Sequence, residues 1–441
     1  MKKIQDTTQP VERAFLVGVD LRGEQDLLSV DDSLLELSLL AETAGLEVVG
    51  MDTQRLDSPN PKTFIGTGKV DEVAALVGEV QADVIIFDEE LSGRHLRELE
   101  KIFGDKVRIL DRTALILDIF AQHANTREGA LQVELAQYEY RLTRLTRAWT
   151  HLARQAGGGG GRSGASGGVG LRGPGETQLE VDRRIIRRRI SSLNAQIEKV
   201  RTHRQQYRTR RKRSKIPIVA LVGYTNAGKS TLLNHLTGAD VYVADQLFAT
   251  LDPTTRRVEF PGGQVALFTD TVGFIQKLPT SLIAAFRATL EEITDADLLL
   301  HVVDVTHPSA HAQSRAVFQT LEEIKADHIP VISALNKIDL LENSDSARKA
   351  LENYPNAVAI SALTGEGVED LLNSVNQLLF ENFVSVSLWL PYREGALISM
   401  FHEQGHVEMV EHGEDGIQIT GMLPQRLIAR YSPYKVRNAR S

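Results

Sequence analysis

Residues 223–230 read Gly-Tyr-Thr-Asn-Ala-Gly-Lys-Ser, directly after an apolar run, Ile218–Val222, and directly before a helical stretch, Leu232–Leu236. A strand and a helix joined by this loop leave the chain few options. The glycines let the backbone close around phosphate oxygens, and successive N–H groups at the helix N-terminus supply positive potential. Lys229 adds a full charge at the β/γ phosphates, and Ser230 offers a hydroxyl to Mg²⁺. Gly223, Tyr224, Thr225, Asn226, Ala227, Gly228, Lys229, Ser230 and Thr231 are the expected phosphate cradle.

Three later segments point to the nucleotide. Asp270, Thr271, Val272 and Gly273 follow the apolar strand Val265–Phe268; Asp270 can hold Mg²⁺ through water, and the Gly273 N–H can meet a γ-phosphate. Asn336, Lys337, Ile338 and Asp339 follow a strand that begins near Val331. A carboxylate at Asp339 accepts hydrogen bonds from both the N1–H and the 2-amino group of guanine. Adenine offers neither donor there, and a site that demands hydrogen bonds rejects a ligand lacking them. Ser361, Ala362 and Leu363 follow Val358–Ile360 and suit a backbone contact to guanine O6. In this order and spacing the segments make a guanine-nucleotide domain with GTP and GDP as ligands.

Around it the 441-residue chain divides into pieces of different pattern. Strand and helix alternate over the first ~125 residues, which argues for a parallel sheet covered by helices. Leu131, Leu135, Tyr138, Leu142, Leu145, Trp149 and Leu152 then form a seam at alternating spacings of four and three. A second seam runs through Leu179, Ile186, Ile190, Leu193, Ile197 and Val200. Two such stripes bury each other in an antiparallel hairpin. Between them lies a glycine-rich stretch, residues 157–175 with Arg162 and Arg172, read as a tip loop that orders on a partner. The boundaries are 1–128 for the N-terminal α/β domain, 129–215 for the hairpin, 216–381 for the nucleotide domain and 382–441 for a small α+β domain. His402, His406 and His412 in that tail read as surface histidines.

The net charge is −8, yet residues 176–215 hold a dense basic block that includes Arg183, Arg184, Arg187, Arg188 and Arg189. Such asymmetry suggests a face made for a polyanion. The absence of cysteine excludes disulfides, thiolate metal sites and a cysteine nucleophile, and fits a cytoplasmic chain. No run reaches the ~20 apolar residues that span a bilayer.

The whole chain resembles HflX, a family of ribosome-associated GTPases, and residues 216–380 resemble a translation-factor-type GTPase domain. The stretch Gly168–Glu180 is similar to the family's signature ahead of its GTPase domain, and Phe248, Ala249, Thr250, Leu251 and Asp252 to its first switch. The resemblance implies an α/β fold around a mainly parallel sheet. It implies GTP hydrolysis with Mg²⁺ held by Ser230, Thr250 and Asp270, and Lys229, Thr250 and Gly273 acting at the γ-phosphate. On sequence alone Thr254 and Thr255 rival Thr250, since all three sit in an expected loop. It further implies binding to the large ribosomal subunit and its RNA, and the splitting or rescue of stalled ribosomes under stress. A GTP switch whose arm binds protein is the alternative. Where many GTPases carry a water-orienting glutamine this chain has Phe274, so intrinsic hydrolysis is expected to be slow. Asn226 resembles the asparagine of potassium-stimulated GTPases, which would add K⁺; the plainer reading is a loop hydrogen bond. Gly66, Thr67, Gly68 and Lys69 form a weaker glycine pattern, with Val70 where Ser or Thr would stand. The family leaves room for ATP and ATP-driven RNA remodelling there; a tight turn is the preferred reading.

Overall fold

The computed structural model describes residues 11–22, 28–156, 174–213, 216–238, 247–248, 250–261, 263–277, 287–341, 351, 354, 356–380, 383–413, 415–424 and 427–436. The chain divides into two compact units: Met1–Glu259 with Gly263–Glu366, and Phe260–Gly262 with Gly367–Ser441.

The first unit opens with a parallel sheet of β1 (Arg13–Leu21), β2 (Glu47–Leu56), β3 (Val84–Phe87) and β4 (Arg108–Asp111), in the order β2-β1-β3-β4. Its central strands are apolar at successive positions because both faces are covered. Ala14, Leu16 and Ile86 face α1 (Val30–Thr43) and α4 (Arg112–His123). Phe15, Val17 and Ile85 face α2 (Thr67–Val80) and α3 (Gly93–Phe103). The helix starts are written locally. Ser29 caps α1 by accepting from the Asp32 N–H at 3.1 Å, and Asp111 caps α4 by accepting from the Ala114 N–H at 2.9 Å.

Next come α5 (Arg127–Ala156) and α6 (Pro174–Arg213). The two seams meet where Leu131 and Leu135 pack with Leu193, beside Tyr138, Ile190 and Ile197. Arg189 of α6 donates to Glu134 of α5 at 2.6 Å. The helix α6 begins at Pro174, inside the stretch expected to be loop up to residue 175. Proline is tolerated there because a first-turn N–H has no intrahelical acceptor. The rest of the glycine-rich stretch, with Arg162 and Arg172, lies outside the described residues, as does Ala249.

A six-stranded sheet completes the unit, in the order β10-β9-β8-β5-β7-β6. Its strands are β5 (Ile218–Gly223), β6 (Thr254–Glu259), β7 (Val265–Asp270), β8 (Leu298–Asp304), β9 (Val331–Asn336) and β10 (Ala357–Ala359). All pairs are parallel except β6 with β7. The fold is thus α/β, with a mainly parallel sheet as its nucleotide domain. Thr254 and Thr255, expected in a loop, are the first residues of β6. Helix α7 (Lys229–Thr237) follows β5 through the phosphate loop.

His301 sits in the middle of β8, 1% exposed, with Nδ1 unpartnered and its ring edge-on to Phe318. Burial, reinforced by the Lys229 charge, lowers its pKa to about 4. Between pH 6.5 and 4 the unfolded chain therefore takes up a proton that the fold refuses. Stability present above pH 6.5 is lost as pH falls through that window, by about 3 kcal/mol from this group alone. Replacing His301 by leucine should flatten that part of the decline, read as urea midpoints at pH 7 and pH 4.5. Equal declines in both proteins would discount the histidine.

The second unit holds an antiparallel sheet of β11 (Phe383–Pro391), β12 (His406–His412) and β13 (Gly416–Pro424), in the order β11-β13-β12. Leu388, Leu390, Ile419 and Leu423 face the helix Gly395–Gln404 through Phe401. Helix Val368–Leu379 falls in this unit. Among the described residues, no helix is long and apolar enough to cross a membrane.

Candidate guanine-nucleotide site

The carboxyl ends of β5, β7 and β9 lie along one edge of the large sheet, the position where open α/β sheets hold ligands. The phosphate loop is closed by contacts that tolerate no side chain at two glycines. A Cβ on Gly223 would stand 2.3 Å from the Val302 carbonyl oxygen. One on Gly228, whose φ is +95°, would stand 2.2 Å from Nδ2 of Asn336. Asn336 is there for a reason: its Nδ2 donates to the Ala227 carbonyl at 2.8 Å, while its Oδ1 accepts from the Ala362 N–H at 2.8 Å. One buried amide thus joins the phosphate loop to the segment Ser361–Leu363, three motifs that sequence presents as separate.

Lys229 is buried and donates to the carbonyls of Gly223 at 3.1 Å and Tyr224 at 2.8 Å. Burial pulls its pKa down to about 8, against the opposing charge of Asp270. Ser230 donates to Oδ2 of Asp270 at 2.6 Å, Thr250 donates to the same oxygen at 2.9 Å, and the two hydroxyls are 2.9 Å apart. Burial raises the Asp270 pKa, while Lys229 and the two hydroxyls oppose the shift, and its Oδ1 is buried without a partner. Two hydroxyls and one carboxylate with an unsatisfied oxygen are hard donors suited to Mg²⁺, which binds one or two carboxylates and takes its remaining oxygens from phosphate and water. Thr250 is the threonine that geometry brings to this cluster. Thr255, one of its rivals, bonds Thr269 along the strand at 3.0 Å.

Gly273 sits so close to the loop that a Cβ would come within 2.8 Å of the Thr225 Cα and 3.1 Å of the Lys229 Nζ. The next residue zips this segment to the loop. The Thr225 N–H donates to the Phe274 carbonyl at 2.8 Å, and the Phe274 N–H donates to the Gly223 carbonyl at 3.0 Å. Thr271 turns its hydroxyl to the Leu221 carbonyl at 2.6 Å, and Val272 is buried. Asn226 is exposed with φ +59°, and Thr231 lies on α7.

On the base side Lys337 takes φ +70° and pairs with Asp304 at 2.7 Å, and the Ile338 N–H donates to the Ile360 carbonyl at 3.3 Å. Asp339 is exposed in the 3₁₀ turn Ile338–Leu340. The Ser361 and Ala362 N–H groups are already engaged, by the Glu366 carbonyl at 2.9 Å and by Asn336, while Leu363 is exposed.

The residues around Thr250 make contacts that sequence did not announce. Of those read from sequence as nucleotide contacts, Phe248 and Asp252 meet the N-terminal domain and Leu251 is buried. Phe248 is buried with φ +58° and meets Phe120 edge-on at 4.6 Å. Leu251 is buried in the same core. Asp252 accepts from the Asn125 N–H at 3.0 Å and the Thr126 N–H at 2.8 Å, just ahead of α5.

Comparison with known proteins covers most of the chain. Residues 31–121 match the family described as GTP-binding GTPase N-terminal, and 123–211 its middle region. Residues 218–337 match a 50S ribosome-binding GTPase, and 346–427 the HflX C-terminal domain. GTPase HflX of Alkalihalophilus pseudofirmus is 49% identical over 96% of this chain and 99% of its own. The chain belongs to the HflX family of GTPases. GTPase HflX of Escherichia coli is 45% identical over 92% of both chains. A solved complex of SsGBP with GDP is 26% identical, covers 84% of this chain and 98% of its own, and has a TM-score of 0.46. As a member of the HflX family the chain is a GTP-binding protein that hydrolyses GTP.

For an HflX-family chain the second glycine pattern now has a local account. Gly66 precedes α2 and donates its N–H to the Gln54 carboxamide at 2.9 Å, and Lys69 pairs with Asp52 at 2.7 Å and Glu72 at 3.2 Å. Sequence reasoning missed the residues of the N-terminal domain that hold the site from behind: Glu36, Asp88, Arg112 and Phe120. They are charged or aromatic residues without a motif, and only the fold shows what they touch.

Proposed function

We propose that this protein is a GTP-dependent ribosome factor. With GTP bound it docks on the large subunit through the basic arm, and it leaves after hydrolysis. The observation that carries this reading is the arm itself. The helix α6 presents Arg184, Arg187 and Arg188 to solvent, while Arg189 ties it to α5. A dense row of exposed guanidiniums in a chain that also carries a nucleotide switch suits a phosphate backbone. The match of residues 218–337 to a 50S ribosome-binding GTPase supports ribosomal RNA as that backbone. We extend the reading to the splitting or rescue of stalled ribosomes, a role in which a factor must grip only while its triphosphate is intact.

At the site, the loop N–H groups and Lys229 cradle the phosphates, Gly273 meets the γ-phosphate, and Asp339 reads the base. Ser230, Thr250 and Asp270 would hold Mg²⁺, which neutralises charge on the phosphates when bound. Asn226, exposed at the loop, is where K⁺ would add positive charge. Phe274 cannot polarise water, so the chain alone turns over slowly and an RNA-bound state accelerates it.

The triple variant Arg184→Glu, Arg187→Glu, Arg188→Glu should lower ribosome co-sedimentation at least about tenfold and shrink its salt dependence by about one phosphate contact per arginine. GTP affinity should stay at the wild-type value. Arg189 is left in place because it braces the arm. Undiminished co-sedimentation would remove RNA from the reading and leave a protein partner in its place.

A further inference from the structure

Arg112 and Asp111 are consecutive, both essentially buried, and they serve opposite ends of the molecule's chemistry. Arg112 bridges two carboxylates: one guanidinium nitrogen bonds Asp88 at 2.6 Å and the other bonds Glu36. Through its second oxygen Glu36 accepts from the hydroxyl of Tyr224, in the phosphate loop. That same hydroxyl accepts the Gln276 N–H at 2.8 Å, three residues beyond Gly273. Asp88 in turn receives Lys277 at 2.9 Å. Asp111 faces the arm: it accepts from Tyr140 at 2.8 Å and Arg144 at 2.5 Å, both on α5.

Burying a guanidinium between two carboxylates is a poor way to gain stability, since a well-packed apolar cluster does as well or better. What such a group offers is directional geometry: a planar fork bonds two partners only when both lie in place. The two carboxylates in turn bond Tyr224 of the phosphate loop and Lys277, just beyond the segment that a γ-phosphate reorders in GTPases. Gln276 and Lys277 cannot shift with Gly273 without pulling on Tyr224 and Asp88, hence on both arms of the fork.

We propose that Arg112 and Asp111 are positioning residues that couple the phosphate loop and second switch to the base of α5, so that the arm's setting follows the bound nucleotide. The inference rests on the proposed function and gives it a route.

The experiment is hydrogen–deuterium exchange of the full chain over Ala130–Leu145 of α5, with GDP and with a non-hydrolysable GTP analogue. In wild type the two nucleotides should give rates about fivefold apart or more. Arg112→Lys keeps the charge and loses the fork; Tyr140→Phe removes one hydroxyl at the arm and leaves the site untouched. Each should bring the two rates within about twofold, and the double variant should do no more than either alone. Tyr140→Phe should retain the wild-type GTP turnover in the absence of ribosomes, which a general loosening of the fold would not. Equal rates with both nucleotides in wild type, or a difference that persists in Tyr140→Phe, overturns the coupling. Ribosome co-sedimentation is read separately: if it depends on the nucleotide while α5 does not respond, the coupling falls and the proposed function stands.

Discussion

Replacing Asp339 by asparagine should turn a guanine site into a xanthine site. GTP affinity should fall about 10³-fold or more, and xanthosine triphosphate should become the better ligand. A carboxylate at this position would accept two hydrogen bonds from guanine, at N1–H and at the 2-amino group. An amide in its place offers a donor toward the 2-amino group, which is itself a donor, while xanthine presents a carbonyl there. The fold around the position does not depend on the charge. Asp339 is exposed, and the turn that carries it is set by neighbours: Lys337 with its left-handed backbone and its 2.7 Å bond to Asp304, and Asn336 bridging the loop to Ala362. The variant should therefore fold as wild type does, and competition binding with the two triphosphates isolates recognition of the base. A retained preference for GTP would reassign the base contact to another residue.

Much of this site is legible in sequence because its parts are short, local and fixed in order. The strand β5 is legible to within one residue, since the unbroken apolar run Ile218–Val222 suits a strand covered on both faces. The edge strand β6 is not, because Thr254, Thr255, Arg256 and Arg257 are all exposed and only Val258 is buried among its inner positions. An edge strand facing water lacks the alternation that announces one. The choice among Thr250, Thr254 and Thr255 has the same origin. All three can donate, and what separates them is that β6 pairs with β7 from Thr254 onward, which leaves Thr250 in the loop beside Ser230. Tyr224 shows a second limit. Its place in the phosphate loop is plain, but its hydroxyl bonds Glu36, 188 residues away, and no local pattern couples those positions. Asp252 is the reverse case. A family motif placed it at the nucleotide, whereas its carboxylate receives the backbone N–H groups just ahead of α5. Motifs report which residues recur together; they do not report which way each side chain turns.

Lys229→Ala should cost about 10³-fold or more in GTP affinity, because several charge-assisted hydrogen bonds of ~1.5–3 kcal/mol each are lost together. The phosphates would take over from the carbonyls of Gly223 and Tyr224, to which the ammonium donates. Neither carbonyl is orphaned by the change, since Gly223 still accepts from the Phe274 N–H and Tyr224 from the Ala227 N–H. Removing a buried charge also removes its desolvation cost, so thermal stability without nucleotide should not fall. The pH dependence gives a second reading of the same group. With its pKa drawn down to about 8 by burial, Lys229 is an ammonium below that pH and increasingly neutral above it. A polyphosphate binds the ammonium, so above pH 8 binding must take up a proton. GTP affinity should be level below pH 8 and fall by up to about tenfold per pH unit above it. In Lys229→Ala the weaker affinity should lose that slope. Calorimetry across pH 6.5–9.5 in two buffers of different ionisation enthalpy measures both the affinity and the proton uptake. A wild type that binds without proton uptake above pH 8 would mean that the buried ammonium is not where the phosphates lie.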